Sequence, residues 1–112
     1  MSAREITIKN IGNKVAKVLS RSIEVDQLIL FGSYAYGRPR EDSDFDIAVI
    51  SNDLGRIGIL ERIGLFSKAA LEIDRRVELK GFDKKEFQKA EKGSMAEFIK
   101  RKGKVIYRPK PA

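Results

Sequence analysis

The sequence has no cysteine, no histidine and no tryptophan. Without cysteine there are no disulfides, no thiolate nucleophile and no zinc site of the Cys/His kind. Without histidine, imidazole acid–base chemistry is excluded. Any catalysis by this chain must use carboxylates, hydroxyls, lysines, arginines or a bound metal. Long apolar runs are also missing: none approaches the roughly 20 residues that a membrane-spanning helix needs. The opening MSAREITIKN lacks the basic-then-apolar layout of a signal peptide. A cytoplasmic protein with no membrane partner is the expectation. No internal repeat or low-complexity segment is present.

What is there suits a soluble globular protein, with 42% hydrophobic and 35% charged residues. The 112 residues suffice for one domain and are too few for two ordinary ones. Residues 1–112 are therefore expected to form a single domain, with 108–112 a frayed tail. The net charge of +7 is uneven: residues 1–55 sum to −1 and residues 56–112 to +8. The stretch KRKGKVIYRPK has six bases and no acid. A basic half of this kind attracts polyanions, so a nucleic-acid partner is compatible with the chain without being required by it; an acidic partner protein would serve as well.

Ile8, Ile11, Val15, Val18 and Leu19 recur at helical spacing and predict an amphipathic helix over about 5–22, weakened near Gly12. Gln27 to Phe31 is a short apolar run read as a buried strand. Ser33 is placed to cap a short helical turn through Tyr34, Ala35 and Tyr36, which Gly37 ends. A loop around Pro39 leads into a strand over Asp44 to Ile50. Ser51-Asn52-Asp53 is a turn and helix start, and apolar residues from Ile57 to Ile73 predict one helix over 54–73. That stripe could serve the core alone or also a dimer or hetero-oligomer face. Arg76 to Lys80 alternates as a strand, with Val77 and Leu79 inward and Arg76, Glu78 and Lys80 on the other face. Asp83-x-x-Glu86 and Ser94-x-x-Glu97 are capping-box patterns that open two further helices. Lys104 to Tyr107 forms a last extended segment. This alternation indicates an α/β domain with a sheet flanked by helices.

Within FGSYAYGRPREDSDFDIAVI, residues i and i+2 of a strand share a face, so Asp44 and Asp46 project together. Two carboxylates that close raise one another's pKa or recruit a cation. Magnesium takes about six oxygens at roughly 2.0–2.1 Å and leaves positions for phosphate and water. Upstream, Gly32 lets backbone approach a ligand, and Ser33 with the amides of the following turn can donate to phosphate oxygens. Arg38 or Arg40, on the intervening loop, can steady phosphates. A calcium loop starting at Asp42 would need Gly and Glu where Ile47 and Asp53 stand, and no Gly-Lys-Ser/Thr of a Walker loop is present.

Gly32-Ser33, Gly37 and Ser43-Asp44-x-Asp46 resemble the signature GSxxxGxxxxxSDxD of the DNA polymerase β-like nucleotidyltransferase superfamily. The short chain resembles its minimal nucleotidyltransferase (MNT) branch, the antitoxin-type partner of HEPN-domain toxins. The resemblance implies a nucleotidyltransferase fold with a small mixed sheet, two Mg2+ ions and a nucleoside triphosphate, usually ATP. It implies that Gly32, Ser33 and Ser43 belong to the nucleotide site and that Asp44 and Asp46 hold the metals. A third catalytic and metal-binding carboxylate, usually Asp, stands on the next core strand of such proteins. Glu78 matches it here with one extra methylene, and Asp74 is the reserve candidate. The implied activity is transfer of AMP to a hydroxyl of a partner protein, a HEPN toxin. The alternatives are an antitoxin that acts by contact alone, or nucleotidyl transfer to a nucleic acid or small molecule.

Overall fold

The computed structural model describes residues 1–40 and 42–111. Helix α1 (Ala3–Leu19) starts earlier than its apolar stripe because Ser2 and Glu5 form a capping box. The Ser2 hydroxyl accepts from the Glu5 amide at 3.1 Å, and the Glu5 carboxylate accepts from the Ser2 amide at 3.2 Å. The helix stops at Leu19, three residues short of the expected end, where Ser20 closes it. Gly12 has a packing reason: a Cβ there would lie 3.1 Å from the Ile106 side chain.

Strand β1 (Gln27–Phe31) leads through Gly32 into α2 (Ser33–Tyr36), and β2 (Phe45–Ser51) follows the loop. Asp44 therefore precedes β2 rather than opening it. The single helix expected over 54–73 is two elements. A 3-10 turn, Asn52–Gly55, is capped by the Ser51 hydroxyl, and α3 (Ile59–Ile73) begins after Gly58. The chain runs extended at Gly58 (φ −69°, ψ 160°), and that breaks the helix. Strand β3 (Val77–Asp83) is longer than its alternating stretch, because parallel pairing with β2 continues to Ser51 opposite Asp83. Asp83 then caps α4 (Lys84–Gln88), and Ser94 caps α5 (Met95–Lys102). Strand β4 (Lys104–Tyr107) ends the regular structure. Residues 108–111 carry none, and Ala112, the end of the tail read as frayed, lies outside the described residues.

The sheet order is β3-β2-β1-β4. β1 is antiparallel to both β2 and β4, and β2 is parallel to β3. The sheet is thus mixed and flanked by helices, as the alternation of elements predicts. Strand parity sends Leu28, Leu30, Phe45, Ile47, Val49 and Val77 into a core with α1 and α3. The opposite parity sends Ile29, Ala48 and Ile50 into a smaller core closed by Phe87 of α4 and Ile99 of α5. Asp46 and Glu78 share that second parity, so they stand on the α4/α5 face at one end of the sheet. No helix among the described residues is long and apolar enough to cross a membrane.

Candidate active site

Gly32 is the joint of the site. Its φ of 75° is strained for any residue with a side chain. A Cβ at that position would also collide with Oδ2 of Asp46, so the glycine vacates the space that the carboxylate uses. The role expected for Ser33 as a side-chain cap is not what the structure shows: Gly32 is the N-cap and no side chain caps α2. Instead the Gly32 carbonyl accepts from the Ala35 and Tyr36 amides at 3.0 and 3.2 Å, and Gly37 N–H donates to Ser33 O at 3.0 Å. Those bonds consume the later amides. The amides of Ser33 and Tyr34, the first of the turn, are the ones a helix leaves without an internal acceptor. Gly37 is required by closeness, since a Cβ there would lie 2.9 Å from the Ser33 Cα.

The carboxylates are assembled by register. Asp46 lies opposite Phe31 of β1 on one side and opposite Glu78 of β3 on the other. Asp46 is half-buried while Asp44 and Glu78 are exposed. Burial, then the charges of Glu78 and Asp44, then a hydrogen bond with Glu78 push the Asp46 carboxyl above the usual carboxylate range. Among the described residues no group of three or more acidic side chains is placed to hold a metal ion. The set is open and acidic, with one member destabilised as an anion. Carboxylate oxygens are the donor type that magnesium takes, with positions left for phosphate and water.

Asp74, the reserve candidate, is engaged elsewhere. It accepts from the backbone N–H, Nε and Nη2 of Arg76 at 2.8, 3.2 and 3.1 Å. Those bonds hold its carboxyl below the usual range. Ser43 serves the loop that delivers Asp44: its Oγ accepts from the Arg40 amide at 2.7 Å. Of the two loop arginines, Arg40 lines the open cavity beside Asp44, with Asp42, Asp74, Arg75 and Arg76. Arg38 is exposed and lies outside that lining.

One arrangement escaped sequence reasoning. Phe45, between the two aspartates, stacks on Tyr34 at 4.4 Å on the far face of the sheet. The Arg76 guanidinium lies 4.8 Å over Phe45, and that of Arg4 lies 5.8 Å over Tyr34. The Gly32 turn, the aspartate pair and the approach to Glu78 are thereby clamped in one stack. The visible signal was an aromatic next to Ser33 and another between Asp44 and Asp46.

The sequence profile of the family described as "Polymerase beta, Nucleotidyltransferase" matches residues 13–112. The chain belongs to that family. A curated nucleotidyltransferase relative, protein adenylyltransferase MntA of Shewanella oneidensis, is 41% identical over 68 residues. That match spans 60% of this chain and 48% of the relative, about half its length. Among solved structures, a chain of a toxin-antitoxin crystal structure with AMP-PNP superposes with a TM-score of 0.61 at 28% identity, covering 88% of this chain and 73% of that one. A structure of tri-AMPylated Shewanella oneidensis HEPN toxin in complex with MNT antitoxin has the same fold, with a TM-score of 0.61 at 24% identity, over 91% of this chain and 73% of that one.

Proposed function

We propose that this nucleotidyltransferase transfers AMP from Mg-ATP to a hydroxyl of a partner protein, and that the partner is a HEPN-domain toxin which it restrains as an antitoxin. The observation that carries the reading is the meeting of Asp46 with Glu78 across the parallel strand pair, with Gly32 pressed against the same carboxylate. The name of the curated relative supports AMP as the group transferred, and the toxin-antitoxin neighbours support a toxin as the acceptor.

In this reading Asp44, Asp46 and Glu78 hold two Mg2+ ions. When bound, the ions would supply charge neutralisation for an in-line displacement at the α-phosphorus. The Ser33 and Tyr34 amides and the Ser33 hydroxyl donate to the triphosphate, with Ser43 holding the loop to Asp44 and Arg40 or Arg38 balancing phosphate charge. Glu78 is exposed and takes the proton of the incoming hydroxyl. Pyrophosphate leaves from the Asp44/Asp46 side. Positioning and charge neutralisation carry such a transfer, so a chain without histidine can perform it.

The test is incubation with Mg2+ and α-labelled ATP, alone and with the product of the neighbouring gene. Label on the partner protein, lost in Asp44→Asn with the fold intact, is the expected result. A stable complex without label would leave a contact-only antitoxin. Label on RNA or a small molecule would reassign the acceptor.

A further inference from the structure

Helix α3 carries apolar side chains outward as well as inward, where Leu65, Phe66, Ala69, Ala70 and Ile73 pack in the core. Only Phe66 and Ala69 of this helix are buried, while Ile59, Leu60, Ile63 and Leu71 are 73%, 81%, 55% and 81% exposed. Leu60, Ile63, Gly64, Ser67 and Leu71 follow one another at spacings of three, one, three and four, so they form one face of the helix. Scattered exposed leucines are ordinary on a monomer; a contiguous row along one helix marks an interaction surface.

Gly64 points the same way. A glycine in an exposed helix interior is destabilising relative to alanine. Here a Cβ would meet nothing within 4 Å, so no contact inside the chain requires its absence. Something outside the chain that approaches the helix backbone closely would require it.

The row is symmetric about its own middle. The Leu60/Leu71 pair and the Gly64/Ser67 pair are both centred on the Leu65–Phe66 peptide. Small residues sit at the centre and leucines at the ends. The flank on the Gly64 side carries Glu61 and Lys68, centred one residue earlier, and neither has an ion-pair partner among the described residues. In an antiparallel helix pair a flank meets the same flank of its partner. Glu61 of one copy would then face Lys68 of the other, and the reverse by symmetry. A two-fold contact must be self-complementary in this way. In addition, α3 lies on the sheet face opposite Asp46 and Glu78, so such pairing leaves both carboxylate sites open.

We propose that the outer face of α3 pairs antiparallel with α3 of a second copy of this chain. The pairing stands on α3 alone and is independent of the reaction proposed above. Light scattering across a dilution series of the purified chain is expected to show twice the chain mass. Leu60→Glu, at an exposed position, is expected to retain the circular dichroism of the parent and weaken association by about 100-fold or more. Glu61→Lys should weaken it about tenfold through like-charge contact with Lys68, and Glu61→Lys with Lys68→Glu should restore it. A monomer at every concentration, or a dimer indifferent to Leu60→Glu, would overturn the proposal. So would a monomeric parent whose Leu60→Glu variant fails to hold a different protein, which would assign the face to that protein. Because the chain lacks cysteine, Ser67→Cys with a short bismaleimide gives a second reading: cross-linked dimer is expected, and none forming would count against it.

Discussion

Asp46 is held partly out of water beside Glu78 and Asp44, and its acid is weakened by burial first and by those charges second. A carboxyl whose folded pKa is raised costs stability once it ionises. The metal-free protein should therefore lose stability as pH rises from the ordinary aspartate pKa through the raised one. Asp74 has the opposite sign: held low by Arg76, it contributes stability above the ordinary aspartate pKa that is lost as pH falls through the lowered one. Asp46→Asn should raise the melting temperature at neutral pH in EDTA and abolish the gain in melting temperature that Mg2+ gives the parent. A parent whose melting is indifferent to Mg2+ would remove the cation from this site. Thermal melts with and without Mg2+ make that measurement without any assay of transfer.

Among the elements, α2 is the one least able to hold itself. It has four residues, no buried side chain and no side-chain cap, and helices that short are not stable by propensity. Its position rests on the Gly32 turn bonds, on Tyr34 stacked against Phe45, and on the Tyr34 hydroxyl donating to Arg40 O at 3.2 Å. Tyr36 adds an edge contact to Phe98 of α5 at 5.2 Å. Tyr34→Phe keeps the stack and loses one hydrogen bond, which should cost about 1 kcal/mol. Tyr34→Leu removes the stack, worth roughly 0.5–1.5 kcal/mol beyond area burial. It should also raise KM for ATP several-fold more than Tyr34→Phe does, since the turn that presents the Ser33 amide loses its clamp. Equal KM values in the two variants would show that the stack is only structural. Denaturant melts and steady-state kinetics on both variants separate the effects.

At the scale of the whole molecule, the sheet divides two unequal cores. Among the described residues the α1/α3 side gathers fifteen buried residues and the α4/α5 side five, so the second layer has less holding it down. Ile99 is 1% exposed and anchors α5 there. Ile99→Ala should cost about 3 kcal/mol. In the parent protein, amides of α5 should exchange with solvent faster than those of α1, because local opening follows the density of buried contacts. Hydrogen exchange read by mass spectrometry tests this, and equal protection of the two helices would contradict it. The charge is as lopsided as the core: the basic run that begins at Lys100 lies on α5, β4 and the tail.

The sequence by itself determined the order of the main helices and strands, the inward and outward faces of the strands, the caps at Asp83 and Ser94, and the Gly-Ser and Asp-x-Asp pattern of the candidate site. Each follows from a local period or a local hydrogen bond, and local rules are written in consecutive residues. Absence of histidine and cysteine likewise leaves carboxylates, hydroxyls, lysines and arginines as the reactive groups. Tertiary structure alone decided which acid meets Asp46. Glu78 and Asp74 are both close to the start of β3, and only the parallel register with β2 brings one opposite Asp46 while Arg76 takes the other. It alone revealed that Gly32 makes room for a carboxylate, that Phe45 and Tyr34 stack on the opposite face of the sheet, and that Leu60 and Ile63 of the α3 stripe face outward. These are contacts between segments distant in sequence, and periodicity cannot say which of two apolar sides of a helix the core will cover.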